Sequence, residues 1–329
     1  MQGDIDFVQL WVDGNDKDWC LEKSKYVPGY DADVSAARYR DWDNLQYWFR
    51  GVEKYAPWVR KIHFITCGHY PKWLNLSHPK LNFVKHSDYM PSDCLPTFNS
   101  SAIELGIHRI KALSDKFVYF NDDMFIINRV KEADFFKNNL PCDLAILNTI
   151  PPVVPFSYND FNNIYVINKY FKKRKAIKNN LFKWYNITYG REVFNNILLL
   201  PWENLTGFVR QHLPLSYLKK TFQEVWELEE ELLRKTLKSR FRSKEDVTIW
   251  LFRYWRLMKG EFYPAPKIGE RFSFSDNEKK NALIYNAIKK QKYRVICVND
   301  EDNIDFEAEK RKLKEAFEHI LPEKSSFEV

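Results

Sequence analysis

The stretch KFVYFNDDMF, Lys116–Phe125, decides how this chain folds. Phe117, Val118, Tyr119 and Phe120 form a short apolar run, aromatic and β-branched, which is the pattern of a buried strand. Asn121, Asp122 and Asp123 follow without a spacer. Adjacent carboxylates at the end of a buried strand are costly unless something compensates them. A divalent cation that takes carboxylate and phosphate oxygens does so most simply. The other reading of the pair is an Asp-rich turn.

Working outward, the same pattern recurs. Asp6–Val12 (DFVQLWV) reads as a strand ending in Asp13-Gly14-Asn15-Asp16. Lys61–Thr66 and Leu81–Lys85 read as two more, closed by Cys67-Gly68-His69 and His86-Ser87-Asp88. Between them Leu45, Phe49, Val52 and Tyr55 recur at helical spacing, in a helix expected over Val34–Tyr55. A second helix is expected over Ser100–Leu113, carrying Glu104, His108 and Arg109 within two turns. Leu144–Leu147 reads as a further strand. Alternating strands and helices predict an α/β fold with a mostly parallel, Rossmann-like sheet flanked by helices. Ligands of such sheets bind beyond the carboxyl ends of the strands, where these polar residues gather.

The second half is helical in pattern: Arg191–Leu200, Lys219–Leu237, Ser243–Lys259, Asp276–Lys290 and Asp305–Ile320. Ser243 and Asp246 have the spacing of a helix capping box. Tyr293–Val298 is a late strand expected to return to the sheet, and it ends in Asn299-Asp300-Glu301, echoing Asn121-Asp122. The domain expectation is therefore a core over 1–155, a helical insertion over 156–291, and a returning strand with a final helix over 292–329.

Lys169–Lys183 holds seven basic residues and no acid, with Tyr170, Ile177, Leu181 and Trp184 able to share a helical face. That face either packs while its lysines are solvated, or lies on an anionic membrane. The net charge of +7 implies an acidic partner without choosing one. No nucleic-acid-binding motif accompanies it. There is no G-x-G-x-x-G and no P-loop, so any phosphate must be held by metal and by Arg or Lys. Five scattered cysteines without zinc-like spacing fit a reducing compartment. No apolar run approaches the ~20 residues of a membrane span, and no signal-peptide pattern opens the chain. The expected location is cytoplasmic, with peripheral contact at the inner face of the membrane.

Four ordered blocks resemble the Stealth family of sugar-phosphate transferases. They are IDFVQLWVDGNDKDW at Ile5–Trp19; Arg38–Phe125, with EKYAPWVRKIHFIT, LPTFNSSAIE and YFNDDMF; QHLP at Gln211–Pro214 through SRFRSKEDV at Ser239–Val247; and ICVNDE at Ile296–Glu301. The resemblance implies transfer of a hexose-1-phosphate or N-acetylhexosamine-1-phosphate from a UDP-sugar to a lipid-linked or oligosaccharide acceptor, with release of UMP. It implies that Asp122 and Asp123, with Asn299 and Asp300, hold Mg²⁺ or Mn²⁺. His212 would be the general base, since a neutral imidazole accepts a proton at physiological pH. Arg242, seconded by Arg240, would pair with phosphate. Asp13, Gly14, Asn121, Arg38 and Arg40 would seat the donor, supported by Arg109 and His108. Where many members have Arg after Leu45, this chain has Gln46, which leaves Arg38, Arg40 or Arg50 for that role. Two other classes remain on the sequence: a metal-dependent glycosyltransferase releasing UDP, and a non-catalytic protein binding anionic glycans or lipids.

Overall fold

The computed structural model describes residues 4–27, 40–153 and 157–329. Its strands are β1 (Ile5–Leu10), β2 (Ile62–Thr66), β3 (Leu81–Lys85), β4 (Lys116–Phe120), β5 (Met124–Ile126), β6 (Phe136–Lys137), β7 (Leu140–Asp143), β8 (Leu215–Leu218), β9 (Tyr263–Pro264), β10 (Gly269–Ser273) and β11 (Val295–Asn299). The main sheet has the order β3-β2-β1-β4-β8. The first four strands are parallel, and β8 closes the edge antiparallel to β4. The chain leaves β1 toward β2 and β3 on one side and toward β4 on the other. The switch point therefore lies between β1 and β4, where the strand ends part and leave a crevice.

Side-chain alternation splits the core in two. Phe7, Phe64, Val118 and Phe120 face the helices Leu45–Tyr55 and Phe306–Ile320. Val8, Ile65, Phe117 and Tyr119 face the helices Ser157–Tyr170, Lys219–Leu228 and Trp250–Lys259. Both faces of the sheet are covered, which is why its strands read as continuous apolar runs. The helix Leu45–Tyr55 comes so close to β5 that a Cβ on Gly51 would stand 2.5 Å from the Ile126 carbonyl oxygen.

Several expectations are corrected in detail. The late strand β11 does not enter the main sheet. It pairs antiparallel with β5 and parallel with β10 in a second sheet. Both edges of β4 are already taken, by β1 and β8, so β5 offers the free edge. The helix from Ser100 ends at Leu105, because the chain turns at Gly106 against the Tyr89 ring into a 3₁₀ turn over Ile107–Arg109. Leu144–Leu147 is extended but forms only one bridge, Leu147 to Phe208. The basic stretch is not one helix. It divides among Ser157–Tyr170, Lys173–Asn179 and Leu181–Trp184, interrupted near residue 171 and at Asn180. Lys219–Leu237 breaks at Glu229, and the helix expected from Ser243 starts at Trp250. Of Val34–Tyr55, residues 34–39 lie outside the described residues, and the helix begins at Leu45.

Candidate active site

The carboxyl ends of β1 and β4 open into a cleft of about 810 Å³ whose lining includes Trp11, Val12, Arg40, His86, Asn121, Asp122, Asp123, Asn299 and Asp300. A smaller cleft of about 480 Å³ adjoins it, walled by Asn148–Pro151, Asp160, Arg210, Trp250 and Arg271. Ser100, Glu104, Asn121, His212, Arg242 and Asn299 line both. The two clefts meet on this ridge.

The ridge and the carboxylate beside it are assembled from distant parts of the chain. Asp123 follows β4, and its backbone carbonyl accepts the Val298 N–H at 2.9 Å, which ties β11 to the turn. His212 precedes β8. Because β8 runs antiparallel to β4, its start lies beside the end of β4, and His212 Nε2 stands 3.1 Å from Asp123 Oδ2. His212 has φ +43, in the left-handed region that non-glycine residues enter only under constraint. Part of that constraint is Arg253, which donates to the Val209 carbonyl at 3.1 Å while clamped to buried Asp143.

Arg242 sits on a loop pinned by Asn99. The Asn99 amide donates to the Ser239 and Phe241 carbonyls and, at 2.8 Å, to Asp246 Oδ2. Phe241 stacks on Phe98 at 5.3 Å. Asp246 does accept the Ser243 N–H at 2.8 Å, but the pair closes a turn of this loop rather than opening a helix. Arg242 donates to Ser100 Oγ at 2.6 Å.

The sequence reading did not single out Glu104, Tyr119, Ser100 or Cys297 as functional. Burial drives the Glu104 carboxyl up to about 7 against the opposing pull of Tyr119, Arg242 and His212. The Tyr119 hydroxyl touches both Glu104 Oε1, at 2.8 Å, and Asn121 Oδ1. One hydroxyl proton cannot serve two acceptors, and a protonated Glu104 donating to Tyr119 satisfies all three groups. The helical spacing of Glu104 under an apolar face was its only signal in the sequence. The Cys297 Sγ lies 3.2 Å from Asp123 Oδ2 and 3.0 Å from Asn299 Oδ1, and its single proton can serve either one.

The carboxylates suit a divalent cation. Asp123 Oδ1 is buried without a hydrogen-bond partner. Asp122 is raised by desolvation and then by the like charge of Asp123, although its own side chain opens to the water of the cleft, which tempers the rise. A cation would relieve both. Carboxylate and amide oxygens of this kind are the donors that a hard divalent cation takes. A second grouping, Asp123, His212 and Cys297, has ligand atoms within 4.8 Å of one another.

The other expected residues are distributed as follows. Asp300 and Arg40 line the larger cleft but face each other, in a two-pronged ion pair at 2.9 and 2.7 Å. Asp13 and Gly14 lie just beyond β1. The Asp13 N–H donates to His69 Nε2 and Gly14 O accepts from Cys20. Arg38 lies outside the described residues. Arg109 and Arg240 line neither cleft, which corrects their expected role. Arg109 is carried away by the turn at Gly106 and lies over Trp226 at 4.1 Å. Arg240 lies over Tyr26 at 4.7 Å, while Phe98 holds its carbonyl. His108 packs against Phe222 and Trp226, not beneath the site. Gln46 bonds locally to Asp43, and Arg50 is paired with Glu328, so neither reaches the donor side.

An open α/β sheet with carboxylates at its switch point, an imidazole and a guanidinium on one ridge, and a cleft to either side is the frame of a group-transfer enzyme. The chain belongs to the Stealth family, a family of transferases. The family model for Stealth protein CR2, conserved region 2, matches residues 38–143. Over 98% of its length the chain is 47% identical to the capsular polysaccharide phosphotransferase WcwK of Streptococcus pneumoniae, covering 98% of that protein. It is 40% identical to the exopolysaccharide phosphotransferase cps2G of Lactiplantibacillus plantarum, across 99% of this chain and 96% of that one. It is 37% identical to the receptor polysaccharide phosphotransferase WefC of Streptococcus oralis, across 99% of both. The resemblance read from the four blocks is thereby confirmed over essentially the whole chain.

Proposed function

We propose that this enzyme transfers a sugar-1-phosphate from a UDP-sugar to a glycan hydroxyl in the synthesis of a capsular or other cell-surface polysaccharide, forming a phosphodiester and releasing UMP. The observation that carries the reading is the ridge itself: His212, Glu104 and Arg242 stand between two clefts of unequal size, with Asp123 on the larger-cleft side, as a transfer between two substrates requires. The names of the relatives support sugar-phosphate transfer over glycosyl transfer.

The donor occupies the larger cleft, with its diphosphate toward Asn121–Asp123, and the acceptor enters the smaller. His212 donates its Nε2–H to Asp123 Oδ2, which fixes the tautomer and leaves Nδ1 to take the proton of the acceptor hydroxyl. Arg242 presents a planar cation to the phosphoryl oxygens as charge builds there. Glu104, whose carboxyl burial raises to about 7, retains a proton at the ridge below that pH and orients Asn121 through Tyr119. Mg²⁺ or Mn²⁺ on Asp122, Asp123 and Asn299 would neutralise the diphosphate. Asp13 and Gly14 line neither cleft and act on the donor only through the turn that follows Val12, which does line the larger one.

Nucleotide chromatography after incubation with several UDP-sugars and a soluble oligosaccharide acceptor tests the reading. UMP with a new phosphodiester is expected. UDP as the only product would transfer the protein to the glycosyltransferase class.

A further inference from the structure

The apolar surface of this protein is unevenly placed. Among the described residues twenty large hydrophobic side chains are exposed, and twelve of them fall between Tyr158 and Trp202. Ile187 is 94% exposed, Phe182 85%, Tyr165 74% and Leu198 67%. These residues do not belong to a frayed segment. Ile164, Ile167, Ile177 and Trp184 anchor its inner side in the core. Lys173 donates to the Leu199 carbonyl at 2.6 Å, Arg174 to the Pro201 carbonyl at 2.8 Å, and Asn196 to the Trp184 carbonyl at 2.7 Å. The outer side is thus a firm lobe made of several short helices. A concentration of this kind marks an interaction surface.

Charge selects the partner. Across 158–202 there are eight Lys and Arg against two acids, Asp160, which is buried and paired with Arg210, and Glu192. Lys172, Arg174, Lys175, Lys178 and Arg191 are exposed. A second copy of this chain meeting the lobe by two-fold symmetry would set these cations against themselves. An anionic bilayer satisfies both features: acyl chains receive Phe182 and Ile187, and headgroups receive the lysines. No helix among the described residues is long and apolar enough to cross a membrane, so contact would be superficial.

We propose that the 158–202 lobe is a membrane-docking face that seats the enzyme on an anionic lipid surface. The helix Ser157–Tyr170 that opens the lobe adjoins the smaller cleft, whose wall includes its Ser157 and Asp160. A glycan acceptor carried on a membrane-embedded lipid would therefore enter at the docked side. This last step rests on the transfer reading above, while the docking does not.

The test is co-sedimentation of the full chain with vesicles of phosphatidylcholine alone or of equimolar phosphatidylcholine and phosphatidylglycerol. Binding only to the mixed vesicles, weakened by salt, is expected. F182S/I187S and K172E/K175E/K178E should each lower the partition by roughly tenfold or more. Both variants should keep the wild-type circular dichroism and full turnover on a soluble acceptor. Equal binding to neutral vesicles, or binding indifferent to both variants, overturns the proposal. So does a dimer in vesicle-free sedimentation that F182S/I187S abolishes, which would give the face to a second copy. Vesicle binding without any UMP release leaves the docking intact and removes the transfer reading instead.

Discussion

His212 Nε2 lies 3.1 Å from Asp123 Oδ2, although 89 residues separate the two in the chain. An antiparallel edge strand makes this possible, since it starts where its parallel neighbour ends. Removal of the imidazole is expected to lower turnover by about 10²–10⁴-fold. The backbone adds a second readout. At φ +43, His212→Gly should be more stable than His212→Ala, because Ala retains the left-handed strain that Gly avoids. Both variants should be equally inactive. Denaturation midpoints and UMP assays on the pair check it.

Asp123→Asn keeps the size of the side chain and removes its charge. If Asp123 Oδ1 meets the cation, Mn²⁺ binding followed by electron paramagnetic resonance should weaken at least ~10-fold. Donor-dependent UMP release should also fall, and EDTA should abolish it in the wild type. Unchanged Mn²⁺ affinity in the variant would remove Asp123 from the ligand set.

Glu104 gives the fold a pH dependence with a definite sign. Its carboxyl is held at about 7, against an ordinary 4.5. The folded protein therefore keeps a proton that the unfolded chain releases as pH rises past its ordinary value. The associated stability is complete below that value and is lost as pH climbs through about 7. The shift corresponds to about 3 kcal/mol at full extent. Chemical denaturation at about pH 5 and about pH 8 should show a fall in the wild type that is much smaller in Glu104→Gln.

Asp143 is buried between two arginines, with Arg253 at 2.9 Å from each oxygen and Arg256 at 2.5 Å. Arg253→Met takes away one counter-charge and the donor to the Val209 carbonyl. A loss of about 3 kcal/mol is expected, with reduced turnover because the segment leading to His212 loosens. Lys235→Ala, which breaks an exposed pair with Glu245, should leave the unfolding midpoint unchanged. Urea titrations of the two variants compare them directly.

Gly51 lies inside the helix Leu45–Tyr55, where Ala would ordinarily gain about 1 kcal/mol. A Cβ there meets the Ile126 carbonyl at 2.5 Å, so Gly51→Ala is expected to destabilise by about 1–3 kcal/mol. A raised melting temperature would show that β5 shifts to make room.

Much of this molecule is legible in its sequence. The apolar runs of β1 to β4 predict a parallel sheet, and the acids behind them locate the cleft. The four family blocks point to His212 and Arg242. The departures share one cause, which is competition for neighbours. Ser100–Leu113 has helical periodicity, but the turn at Gly106 against Tyr89 halts it and sends Arg109 to Trp226. Asp300 and Arg40 each read as ligand-binding groups, and the fold pairs them with one another. The basic stretch reads as one amphipathic helix, yet it folds as several short ones and exposes Phe182 and Ile187 further along.

Local pattern by itself determined β1 to β4 and β11, their acidic ends and the family, because alternation and motif order are properties of neighbours in sequence. Only the tertiary structure decided that β11 joins β5, that His212 reaches Asp123, and that Glu104 holds a proton near neutrality. Those outcomes depend on which strand edges remain free and on how much water the packed chain excludes, and both are settled by residues far apart in the chain.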